Sequence, residues 1–188
     1  MGLMSDNSVF TILSTTDQPS LFQIARLARL TVASPALLLD VLDGLRAGEL
    51  RIAMYCAEAV EKISRMKVGI LTGYETEILT NFAMSGFTEV KGPLALVVPR
   101  LNLSDALKRN AVSLMFDCLT DDSSVMRERV FMALTQVSQT DVTVMDRIVP
   151  LLNSRVENGD RGEKARARDL LSKLSGRAGS RGHSVAHT

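Results

Sequence analysis

Tryptophan is absent from this 188-residue chain, and the other large aromatics are six Phe and two Tyr. So few flat side chains disfavour a protein that works by stacking on bases or sugar rings. Cysteine is scarce too. Cys56 and Cys118 lie 62 positions apart, make no disulfide framework, and read as small buried hydrophobes. The two histidines, His183 and His187, fall in a Gly/Ser-rich C-terminal stretch, where neither is held in place for general-base work. No Cys/His or His/Glu cluster has metal-ligand spacing, and no Gly-rich phosphate loop precedes a helix. The sequence therefore assigns no catalytic residue, no cofactor and no metal. Five prolines and twelve glycines exclude fibrous and linker-like classes. Apolar runs such as Leu94–Val98 are far short of the roughly 20 residues that span a bilayer. The first ten residues, MGLMSDNSVF, show no basic region leading into an apolar run, and Asp6 stands where a myristoylation signal has Ser or Thr. The expected location is the cytoplasm, with no membrane partner.

What is present is 46% apolar and 23% charged residues with a net charge of +1, enough for a buried core and no pull toward a strongly charged partner. The pattern is helical almost throughout, with no period-2 strand run. Start signals recur at Asp17-Gln18-Pro19, Ser34-Pro35, Ser104-Asp105, Asp122-Ser123-Ser124 and Asp160. A Ser or Asp side chain there satisfies open backbone N–H groups, and Pro fits the first turn. Breakers fall between them at Gly48, Gly73, Gly86, Asn102 and Asn158-Gly159. These marks predict helices over 18–32, 35–46, 49–66, 74–84, 89–101, 104–119, 123–138, 141–156 and 160–174.

Four segments superimpose without gaps: Ile52–Ile63, Val90–Leu101, Met126–Val137 and Glu163–Leu174. Their second residues, Ala53, Lys91, Arg127 and Lys164, are spaced 38, 36 and 37 positions apart. In every copy the residues six, seven and ten positions later are apolar, which places them on one helix face. A further apolar segment precedes each: Pro35–Leu45, Glu77–Phe82, Ala111–Leu119 and Ile148–Leu152. The unit is a helix pair of about 37 residues, a length typical of stacked repeats. Residues 1–16 are expected to be flexible and 17–174 to form the repeat domain. The repeats fall at about 35–66, 74–101, 104–138 and 141–174, and 175–188 is expected to be a disordered tail. Helix 18–32 falls out of register. Its stripe Leu21, Ile24, Ala25, Ala28 and Val32, flanked by Leu27 and Leu30, suits a cap over the apolar end of the array.

The stretch Leu119-Thr-Asp121-Asp122-Ser-Ser-Val-Met126-Arg127, followed by Ala133-Leu134 and Val137, resembles the HEAT-repeat family. It has an inter-helix Asp, an apolar–basic pair, then Ala-Leu; Pro150 matches the kink of a first helix. The likeness covers about 35–174 and suggests a small bacterial-type HEAT protein. It implies an all-α fold, an αα-superhelix of HEAT/armadillo type with four helix pairs and a capping helix. It also implies that Arg127 bonds Asp121 or Asp122 and ties repeats together. Ala53 departs from the family's basic position, and Asp is missing near Ser85.

The same resemblance places the second helices on an inner, concave wall. There Arg51, Tyr55, Glu58 and Lys62 point away from the apolar stripe of the first repeat, and Glu128, Arg129 and Gln136 are the candidates on the third. Mixed charge with one Tyr suits a protein or peptide partner better than a polyanion. The expected function is a non-catalytic protein–protein interaction scaffold or adaptor. Charge is uneven, however: residues 155–188 hold eight basic and four acidic groups, a net of +4, against −3 for the rest. Lys164, Arg166 and Arg168 could thus contact phosphates, which makes nucleic-acid binding the second reading. A HEAT-like enzyme or chromophore lyase is the third. It would draw on acid pairs such as Glu58 with Glu61, Asp40 with Asp43, or Asp121-Asp122, whose first reading is caps and solvated faces.

Overall fold

The computed structural model describes Leu13 and residues 21–181, with side chains up to Ser175. Nine long helices are found among the described residues: α1 Leu21–Ala33, α2 Leu37–Gly44, α3 Leu50–Lys67, α4 Glu75–Met84, α5 Thr88–Val97, α6 Asp105–Asp117, α7 Ser124–Ser138, α8 Val142–Asn158 and α9 Arg161–Arg181. Short 3-10 turns follow α3, α5 and α6, and no strand occurs among the described residues. The nine expected helices are all present, with boundaries shifted by a few residues.

The caps explain the better-placed starts. Ser104 Oγ accepts the Leu107 N–H at 3.4 Å. The Asp141 carboxylate accepts from Thr143 and Val144 at 3.1 and 3.3 Å. Ser123 Oγ accepts from Met126 at 3.3 Å. At α9, the Glu163 N–H donates to Asp160 Oδ1 at 2.8 Å, while the Asp160 N–H donates to Glu163 Oε2 at 3.2 Å. This is a reciprocal box that satisfies two otherwise open donors. Ser34-Pro35 behaves differently: the chain turns there, with Leu37 and Leu38 bonded back to Ser34 and Pro35, and α2 begins two residues later than expected. At the other end α9 runs to Arg181, through residues assigned above to a disordered tail. Glycine costs a helix interior only about 1 kcal/mol, so Gly176 and Gly179 do not stop it. Residues 182–188 and, apart from Leu13, the expected flexible segment 1–16 lie outside the described residues.

The chain divides into two compact units, up to Val130 and from Phe131. In the first, α3 is the central element, packed by its partner α2, by α1 and by α5; α5 packs its partner α4, and α4 packs α6. First helices thus meet first helices and second meet second, the layering of a stacked two-helix repeat. Small residues allow the approach: Ala53, Cys56, Ala57, Ala59 and Val60 of α3 are fully buried. The aligned core positions Val97, Ala133 and Leu134 are equally buried. Helix α1 covers α3 as a cap should, but with Ile24, Leu27, Ala28 and Thr31 inward. Leu21, expected in that stripe, is 85% exposed. In the second unit α8 packs on α9 through Val144, Ile148 and Leu152 on one and Ala167, Leu170 and Leu174 on the other.

The approach of α2 to α3 is closest at Gly44, where a Cβ would stand 2.3 Å from Cys56 Sγ. Burial pushes the Cys56 thiol up to about 12, so the sulfur is a neutral packing atom. Gly44→Ala is expected to destabilise the fold by about 1–3 kcal/mol through overpacking, and Gly44→Ala/Cys56→Ala to recover most of the loss. Thermal unfolding of the single and double variants checks this; equal melting temperatures for Gly44→Ala and the parent would refute it.

Candidate functional site

Helix α3 presents Arg51, Tyr55, Glu58 and Lys62 along one stripe at alternating spacings of four and three, which keeps them on one face. Arg51 is exposed and bonds Glu49 at 3.2 Å; Tyr55, Glu58 and Lys62 are half-buried. Two expected site residues are brought together: Arg129 Nη2 lies 2.7 Å from Glu58 Oε1, so α7 reaches back to α3. The link crosses α5 at Gly92, where an added Cβ would meet Arg129 Cδ at 3.0 Å. Gly92 is therefore the low floor over which the Arg129 side chain lies. The resulting groove encloses about 290 Å³, lined among others by Met54, Glu58, Gly92, Val125, Met126 and Arg129. Val125 at its edge is 61% exposed. Glu128 is half-buried and Gln136 exposed.

The sequence missed Gly92, Met54 and Val125 as parts of this groove. A glycine in the interior of a helix was the available signal, since such a residue often marks close packing. It also missed Glu61. Read as half of an acid pair with Glu58, Glu61 is instead 6% exposed. Its Oε1 accepts from Arg65 at 2.6 Å and from Arg100 at 3.0 Å, and Arg100 also donates to Ser64 Oγ at 2.7 Å. The helical period puts Glu61 beside Val60 on the inward side, where a charge needs such partners. The other carboxylates have local roles as well. Asp43 pairs with Arg46, and Asp121 Oδ1 accepts the Ser123 N–H at 2.8 Å.

Arg127 bonds the expected turn through its main chain: Nη1 donates to the Asp121 and Asp122 carbonyls at 2.6 and 2.9 Å. Lys91, at the same repeat position, lies close enough to Cys118 for its charge to oppose the rise that burial imposes on that thiol. At the basic end, Lys164 is half-buried while Arg166 and Arg168 are exposed. Positions two apart on a helix point to different sides, so Arg166 and Arg168 do not form one patch. Behind them Arg155 stacks 4.5 Å from the Phe131 ring centroid and pairs with Glu163. Among the described residues no group of acidic, His or Cys side chains is arranged to hold a metal. No described helix is long and apolar enough to cross a membrane.

No family model matches the chain, and no curated protein matches it. Among solved structures it is similar to a computationally designed armadillo repeat protein made for modular peptide recognition. The TM-score is 0.59 at 11% identity, over 87% of this chain and 81% of that one. Likeness at that identity concerns the fold, and together with the helix layering it defines the class: an all-α helical-repeat superhelix of armadillo type. The HEAT pattern remains a resemblance of sequence, carried by the Asp121–Val137 stretch.

The Arg155 guanidinium, and after it the Asp160 main-chain bond, hold the Glu163 carboxyl below the usual carboxylate range. A carboxylate depressed in the folded state contributes stability above its unfolded value and loses it as pH falls through the folded one. The contribution of Glu163 to the stability of the α8–α9 pair is thus expected to be fully present above pH 4.5, the ordinary glutamate value, and to be lost below it. A carbon-detected NMR titration of the Glu163 carboxyl should show a midpoint below 4.5. A midpoint at or above that value would contradict the pairing.

Proposed function

We propose that this chain is a non-catalytic scaffold that binds a peptide or protein segment in the groove over Gly92. Helix α3 and the start of α7 form its walls, with Arg51, Tyr55, Glu58, Lys62, Glu128 and Arg129 as its contact surface; Gln136 falls in the second unit and has no part in it. The observation that carries the reading is the groove itself. It is preformed and floored by a glycine, edged by the exposed Val125 and the flexible Met54, and bridged by the Glu58–Arg129 pair. Thioether side chains adapt to varied partners, and mixed charge with apolar anchors is the chemistry of a polypeptide surface. A rigid helical stack loses little ordering entropy on binding. The similar designed armadillo protein, made for peptide recognition, supports the same class of partner. Two unpaired, buried thiols fit work in the reducing cytoplasm.

Selection of a phage-displayed linear peptide library on the full chain tests this. Val125→Asp adds an acid in the first turn of α7, where a helix tolerates it well, and Tyr55→Ala trims a half-buried ring. Both are expected to weaken selected peptides about tenfold or more, as loss of an anchor does, with the Val125→Asp melting temperature unchanged. Failure to select any peptide, or selected peptides held equally by both variants, would overturn the reading.

A further inference from the structure

A second concavity of the first unit shares no lining residue with the groove just described. It is formed where the α2–α3 turn faces the end of α4 and the α4–α5 turn, and it encloses about 640 Å³. That volume is in the range of ligand-binding clefts. Its composition is specific. Met84 stands 79% exposed at its edge, and Phe87 lines it from the next turn. Gly48 and Gly86 leave the turn backbones bare, with nothing within 4 Å of the place a Cβ would take at either. Asn81 lines it while only 7% exposed. Its amide nitrogen donates to the Glu77 carbonyl of its own helix at 3.0 Å, and no described residue donates to its side-chain oxygen.

The lining itself holds one cation and one carboxylate, Arg46 and Glu77, and a second carboxylate, Asp43, stands just outside it. Arg46 is the cation of the lining, and it is already claimed twice: by Glu77 at 2.8 Å and by Asp43. Two carboxylates share one guanidinium, which leaves a net negative charge beside an apolar edge. An acidic ligand would meet repulsion with no free cation; a cationic one completes the pairing.

We propose that this cleft is a separate recognition site for a linear segment of a partner protein that carries a Lys or Arg next to a large apolar residue. The apolar side chain rests between Met84 and Phe87, a donor of the segment meets the Asn81 oxygen, and the cation joins Glu77 and Asp43. The site does not depend on the groove over Gly92, and its residues have no part in that groove.

The test is a nitrogen-15 NMR titration of the full chain with three blocked hexapeptides whose central pairs are Leu-Arg, Leu-Glu and Ser-Arg. Saturable shifts are expected at the Gly48, Asn81, Gly86 and Phe87 amides with the Leu-Arg peptide, and affinity about tenfold or more lower for the other two. Met84→Ser, at an exposed position that leaves the melting temperature unchanged, should reduce Leu-Arg binding to the level of Ser-Arg. Equal binding of Leu-Glu, or no saturable shift at these amides, would overturn the proposal. Shifts confined to Tyr55, Gly92 and Arg129 would overturn it as well while supporting the groove over Gly92.

Discussion

Helix α3 must be covered from more than one side, and the first unit is arranged around that requirement. Apart from Ile63, its fully buried apolar residues are small (Ala53, Cys56, Ala57, Ala59, Val60). A single partner helix covers one stripe of about 100° or a little more, so α2 alone does not hide them. Helices α1 and α5 do the rest. Side chains this small bring neighbouring backbones close and leave no slack, which is why Gly44 has no room for a methyl group against Cys56. A repeat that cannot bury itself stacks, and stacking generates the walls of the groove as a by-product.

Stacking by apolar contact sets no register on its own, and the ion pairs between repeats supply one. In the resembling family an Asp–Arg ladder has this part, and Ala53 breaks it in the first repeat. Here acids on α3 reach forward instead: Glu61 to Arg100 in the second repeat, Glu58 to Arg129 in the third. Arg46 joins the end of α2 to Glu77 on α4 in the same sense. The most buried of these pairs, Glu61 with Arg100, adds little net stability over apolar residues, yet leaves a costly unpaired charge when the register slips. Glu58 and Arg129 are only half-buried, so the strut they make across the groove stays within reach of a partner's polar groups.

The helices and their pairing were legible because period and punctuation agree. Apolar residues at +6, +7 and +10 from Ala53, Lys91, Arg127 and Lys164 repeat in all four copies, and Ser104, Ser123, Asp141 and Asp160 cap the helices they precede. Less legible were ends that depend on weak local terms: the Ser34-Pro35 turn, and α9 running on past Gly176. The stripe of α1 shifted from Leu21 to Leu27 because tertiary contact chooses among several apolar residues on one helix. Of the groove, the polar walls Glu58 and Arg129 could be named in advance, since any second helix has an outward side. That they face each other across Gly92 could not, because pairing between residues 71 positions apart depends on how α3, α5 and α7 are set. Glu61 was misread for the same reason: a carboxylate on an inward position is recognised only with Arg100 beside it.

Native-state hydrogen exchange tests the dependence of α3 on its neighbours most directly. The amides of Ala53–Ile63 are predicted to exchange only with opening of the whole first unit and to be the slowest of that unit. Those of α1, covering α3 from the outer side, should open first at lower free energy. Equal protection throughout α1–α6, or an α3 that opens before α1, would contradict the account of a central helix held by neighbours stacked on it.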